Sequence, residues 1–101
     1  MKFKFSAIFP AALALNRLAL PAAADTPPPA WQIPTICQNA KSDEECSRLE
    51  SSSRNSVLDR WSKAPEADRT ACLAHVQKNG GPSYWRLLDC LGNRALQTME
   101  H

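Results

Sequence analysis

Residues 72–90, CLAHVQKNGGPSYWRLLDC, read as two helices folded back on one another. Asn79-Gly80-Gly81-Pro82 ends the first, with glycine where a left-handed C-cap is wanted and proline directly after. Ser83 is placed to cap the second. Upstream of the turn, Cys72, Leu73 and Val76 recur at helical spacing. Downstream, Tyr84, Leu87, Leu88, Leu91, Ala95 and Met99 trace a 3.6-residue stripe. Gly92 interrupts it, at about 1 kcal/mol of helix stability relative to alanine.

Working outward, Ser62-Lys63-Ala64-Pro65 separates this hairpin from an earlier helix, with Pro65 tolerated in a first turn. That earlier helix starts at Ser42-Asp43-Glu44-Glu45, a capping box whose acids suit the positive helix end. Cys46, Leu49, Ser53, Val57 and Trp61 then recur at helical spacing, with Leu58 beside them. Residues 25–34 (DTPPPAWQIP) lack helical periodicity. They predict an extended, partly polyproline arm, mobile at its start, with Trp31 and Ile33 as the residues to dock it. With no alternating strand pattern, the expected fold is all-α. Three helices run up-down-up, preceded by a Pro-rich arm.

The first 24 residues belong to a different class. Lys2 and Lys4 precede the apolar run 5–15 (FSAIFPAALAL), and Ala22-Ala23-Ala24 offers small residues for cleavage before Asp25. Residues 1–24 therefore read as a cleavable signal peptide, too short an apolar run to span a bilayer. The expected organisation is signal 1–24, arm 25–36 and helical domain 37–101, in a periplasmic or secreted protein. The full chain carries a formal charge of +2. Lys2, Lys4 and Arg17 lie in the signal, which leaves nine of the twelve basic residues against all ten acids, a net −1. Without a basic excess, nucleic acid is not an expected partner. A domain this small buries little core and needs staples. Its four cysteines, Cys37, Cys46, Cys72 and Cys90, fit an oxidising compartment.

Four cysteines allow three pairings, and helix geometry ranks them. Cys72 lies as far before the Gly80-Gly81 turn as Cys90 lies after it, so the two share a height in an antiparallel pair. The turn near Lys63 reflects Cys46 to the height of Gly81. That is about nine residues, or roughly 14 Å at 1.5 Å per residue, from either of them. A disulfide needs Cα atoms within about 7 Å. The expected pairs are Cys72–Cys90 and, by elimination, Cys37–Cys46.

The run of motifs has a familiar order: Pro34-Thr35-Ile36-Cys37, Cys46 entering a helix, Leu58 and Trp61, Arg69-Thr70-Ala71-Cys72, Gly80-Gly81-Pro82-Ser83-Tyr84, and Leu87-Leu88-Asp89-Cys90-Leu91. It resembles an uncharacterised family of small exported four-cysteine helical proteins of alphaproteobacteria, rhizobia among them. The resemblance covers residues 33–91 and is most specific over 80–91. It departs at Trp85, where that family usually has a β-branched residue, and in the shorter Cys37-to-Cys46 spacing. It implies compartment and architecture, and no activity.

Few residues carry chemistry. Cys72 and His75 have C-x-x-H spacing and, with Cys90, sketch a zinc site, but exported thiols of this kind more often oxidise. No metal and no cofactor is expected. A serine–histidine dyad would rest on His75, with no G-x-S-x-G to prepare it. The acids at Asp43, Glu44, Glu45, Asp59, Asp68 and Asp89 are available for acid–base work, yet helix-terminal charge accounts for several of them. An enzyme is not the expected reading. Trp85, with Arg86 beside it, sits at the edge of the last helix's stripe, and Trp and Arg are favoured at binding hot spots. The competing reading is that Trp85 merely covers a helix flank. The expected function is a non-enzymatic interaction or structural module whose partner is an envelope protein or peptide. The alternatives are a periplasmic stress chaperone and, behind it, a small hydrolase or ligand carrier.

Overall fold

In the computed structural model, residues 25–99 are described. The expected signal segment 1–24 lies outside them. The described residues form four helices, the first within the arm: α1 (Ile33–Ile36), α2 (Asp43–Trp61), α3 (Glu66–Lys78) and α4 (Tyr84–Met99). No strand occurs among the described residues. None of their helices is long and apolar enough to cross a membrane.

The helix ends follow their sequence signals. Ser42 has extended backbone, and its Oγ accepts the Glu45 N–H at 3.2 Å, which fixes the start of α2. At the end of α3, Gly80 and Gly81 take φ of +108° and +86°, and the Gly81 N–H returns to the Val76 carbonyl at 3.1 Å. The arm departs from expectation at α1. Pro34 stands in the first turn, where its missing N–H costs nothing and its fixed φ suits a helix. That single turn redirects the chain towards α2.

Cross-helix contacts set the topology. Glu50 meets Ser83 and Tyr84, while Arg60 approaches Gly92, so α2 and α4 run parallel. Asp68 meets Arg94, and Cys72 bonds Cys90, so α3 and α4 run antiparallel. The result is the expected up-down-up bundle, with α4 packed on both other helices. Both disulfides are as ranked by geometry: Cys37–Cys46 with Cα atoms 5.8 Å apart and Cys72–Cys90 with 5.7 Å.

The core is Val57, Trp61, Cys72, Val76, Tyr84, Leu87 and Leu91. It differs from the sequence stripe at both ends. On α2 the buried line is Glu50, Ser53, Val57 and Trp61, while Leu49 and Leu58 are each about half exposed. The buried face is thus rotated one residue from Leu49 to an acid. On α4 burial stops at Leu91, and Ala95 and Met99 are exposed because the helix runs on past its neighbours' apolar contacts.

The arm is tied down at its start, contrary to expectation. The Trp61 indole N–H donates to the Thr26 carbonyl at 2.7 Å. The Thr26 N–H donates to Glu66 Oε1 at 3.1 Å, and its hydroxyl donates to the other carboxylate oxygen. Further along, the Tyr84 hydroxyl accepts the Trp31 N–H at 2.8 Å and faces the Pro29 and Trp31 carbonyls, both at 3.2 Å. The Trp31 and Tyr84 rings stand 5.1 Å apart at a 54° tilt. Aromatic donors thus satisfy arm carbonyls that a polyproline stretch leaves without internal partners.

Candidate functional site

The surface around α4 is built on an unusual cap. Glu50, only 5% exposed, comes from the middle of α2. Its carboxylate accepts the Tyr84 N–H at 2.6 Å and the Ser83 hydroxyl at 2.7 Å. Ser83 Oγ in turn accepts the Arg86 N–H at 3.3 Å, the N-cap role read from the sequence. The first N–H groups of a helix have no intrahelical acceptor and carry positive potential. A buried anion there is solvated by the helix end it caps.

This arrangement sends the two candidate binding residues in different directions. Arg86 turns inward over the loop. Its guanidinium donates to the Gly81 carbonyl at 3.2 Å and lies where a Cβ on Gly80 would sit, 2.5 Å away. Trp85 turns outward and is 48% exposed. With Leu88, Gly92 and Leu96 of α4 and Arg60 of α2 it lines an open groove, with Asp89 at its edge. Leu96 is 59% exposed. At 100° per residue, these α4 positions lie about 100° around the helix from Leu91 and the core.

The groove floor is rigid on its far side. Cys72–Cys90 staples α4 to α3, and Arg94 Nε donates to Asp68 Oδ1 at 2.7 Å. The arm clamp lies away from it. There Arg69 Nη2 sits 3.3 Å from Glu66, and its guanidinium carbon is 6.0 Å from the centre of the Trp61 ring. The Thr26 hydroxyl and then the Thr26 N–H hold the Glu66 carboxyl below its usual 4.5; burial opposes them, and the Arg69 charge adds the smallest lowering effect.

The other candidates are dispersed. The sulfurs of Cys72 and Cys90 are joined to each other, so the sketched zinc site has no thiolate. His75 is exposed near the C-terminus of α3, its Nδ1 3.3 Å from Asn79 Nδ2. Among the described residues no group of three or more His, Cys, Asp or Glu side chains converges as a metal site. Asp43, Glu44 and Glu45 lie in the first turn of α2, and Asp68 in that of α3. Asp59 faces Lys63 at 3.9 Å on the surface. Sequence reasoning missed Glu50, Thr26 and Glu66. Only Glu50 left a trace, as an acid in register with Ser53, Val57 and Trp61. No family model, curated protein or solved structure matches the chain.

Proposed function

We propose that the protein is a non-enzymatic interaction or structural module, exported to the periplasm or secreted after loss of residues 1–24. It acts by presenting the Trp85 face of α4 to a protein or peptide. The observation that carries this reading is Trp85 itself, half exposed above a groove it shares with Leu88 and Leu96. Its helix is capped by Glu50 and stapled by Cys72–Cys90, so little freedom remains to be lost on binding. An exposed tryptophan on a pre-ordered helix matches the composition of interface hot spots. Two disulfides with no free cysteine among the described residues fit an oxidising compartment.

The test is a crosslinking pull-down from envelope extract, with oxidised protein at neutral and mildly acidic pH. One stoichiometric partner at neutral pH, weakened at least about tenfold by Trp85→Ala, is the expected result. Capture that ignores Trp85→Ala would overturn the reading. So would many clients bound only in acid, which would mark a chaperone, or substrate turnover lost in His75→Ala.

A further inference from the structure

We infer that the cleft occupied by the arm is a binding site for proline-rich peptide, that residues 25–31 fill it as a tethered stand-in, and that a proline-rich segment of another protein displaces them. This site lies away from the Trp85 face and does not depend on it.

The cleft reads its occupant with a three-residue period. Pro27, Pro28 and Pro29 fix their own φ, and each bars the residue before it from helical backbone, so residues 26–28 are extended. Such a chain turns once every three residues, rises about 3.1 Å per residue and leaves its carbonyls without internal partners. Thr26 and Pro29, one turn apart, are half-buried, while Pro27, Pro28 and Ala30 are exposed. The carbonyls of the same two residues meet aromatic tips. The Trp61 indole N–H, at the end of α2, lies 2.7 Å from the Thr26 oxygen, and the Tyr84 hydroxyl, at the start of α4, lies 3.2 Å from that of Pro29. The two contacts are spaced by one polyproline turn, about 9 Å along the arm. Aromatic-lined grooves are the general means of docking proline-rich segments, whose preformed backbone loses little entropy on binding. Glu66 adds a preference. It accepts both the N–H and the hydroxyl of Thr26, which asks for threonine or serine ahead of the prolines.

The arm leaves both ends of the cleft unsatisfied. The Arg69 side chain is only 11% exposed, yet its Nε has no hydrogen-bond partner among the described residues, and its Nη2 stands 3.9 Å from the Asp25 carboxylate. At the other end Leu58 lines a cavity with Arg54, Tyr84 and residues 28–34 and remains 49% exposed. The arm cannot slide to cover it, because Cys37–Cys46 pins the following turn to α2. A segment without that tether can set a carboxylate squarely on Arg69 and an apolar residue on Leu58. A partner needs such gains, since the tethered arm competes at an effective concentration on the order of millimolar. The arm of a second copy carries the same residues on the same tether and gains neither contact. The occupant is therefore another protein's segment, with an acid, then threonine or serine, then prolines, then an apolar or aromatic residue.

Fluorescence anisotropy with an acetylated, fluorescein-labelled peptide of residues 25–32 (DTPPPAWQ) tests this on the oxidised protein as purified, titrated to about 1 mM. Thr26→Pro supplies a loosened arm, because it removes both donors to Glu66 and leaves Trp61, Glu66, Arg69 and Tyr84 in place. The expected result is an unchanged circular dichroism spectrum and peptide binding at least about tenfold tighter than to the parent, whose own arm holds the site. Thr26→Val, which removes the hydroxyl alone, gives a smaller gain in the same direction and carries the test if the proline disturbs the fold. The same peptide with its three prolines replaced by alanine binds the loosened chain at least about tenfold more weakly, having lost its preformed backbone. No binding to either loosened chain would overturn the inference, as would equal binding to the parent or indifference to the prolines. Adding Trp85→Ala to the loosened chain leaves peptide affinity unchanged; loss of binding there would place the peptide on the Trp85 face and remove this site, while leaving the interaction-module reading standing.

Discussion

Replacing Glu50 tests what organises the candidate surface. Glu50→Ala removes two short charge-assisted hydrogen bonds and leaves the Tyr84 N–H buried without its acceptor. Hydrogen bonds to charged groups contribute about 1.5–3 kcal/mol each, and part of that is shared because both end on one carboxylate. The expected loss is about 3–5 kcal/mol, in line with breaking other buried charged pairs. A domain of this size has roughly 4–11 kcal/mol in all, so the loss is a large fraction of it. Glu50→Gln is the sharper probe. Its amide oxygen still accepts from Tyr84, and its NH2 donates to a Ser83 hydroxyl that rotates to accept. Only the charge facing the helix end is lost, at about 1 kcal/mol. Urea unfolding with both disulfides intact reads the two losses as shifts in midpoint at constant slope. An alanine variant within about 0.5 kcal/mol of the parent would refute the cap. Equal losses for alanine and glutamine would refute the claim that hydrogen-bond geometry outweighs charge.

Tyr84→Phe keeps the ring on Trp31 but strands the Trp31 N–H. It should cost about 1–2 kcal/mol and raise hydrogen exchange in residues 25–31 ahead of the helices. Because the Glu66 carboxyl is held below 4.5 in the folded chain, its contribution is fully present above that value. It is lost as pH falls through the lowered value. The Thr26 amide should therefore lose protection on acidification below about pH 4.5, in a profile that Glu66→Gln flattens because its amide does not titrate. Removal of Cys72–Cys90 by paired alanine substitution opens a separation of 18 residues and should cost about 3 kcal/mol by chain entropy, measured by denaturation. The same change at Cys37–Cys46, separated by 9, should cost slightly less and free α1 first, seen as cleavage in residues 37–42 under limited proteolysis.

What was legible in the sequence was what neighbouring residues dictate. The Gly80-Gly81 turn, the Ser42 and Ser83 caps and the equal heights of Cys72 and Cys90 all follow from local backbone chemistry and helix rise. What was not legible depends on partners distant along the chain. Glu50 is buried because Ser83 and Tyr84, more than thirty residues on, offer it donors. An acid among serines has no such signature, so the apolar residues nearby, Leu49 and Leu58, mark the wrong line. The arm read as mobile because prolines give no hydrogen-bond pattern. Its anchoring uses the far tips of Trp61, Tyr84 and Glu66, whose ring or carboxylate alone is visible in a sequence. Trp85 and Arg86 were indistinguishable as neighbours. One residue of helix, about 100°, turns one to solvent and the other to Gly81.

The central claim is that the Trp85 face is the surface this protein uses. A photo-crosslinking residue at Asn93, exposed on that groove and without a structural contact to lose, tests it most directly, with the same probe at exposed Gln77 on α3 as reference. Irradiation in envelope extract should give discrete adducts from position 93, to another protein, that Trp85→Ala abolishes, and none from position 77. Equal adducts from both positions, or none from 93, would contradict the claim.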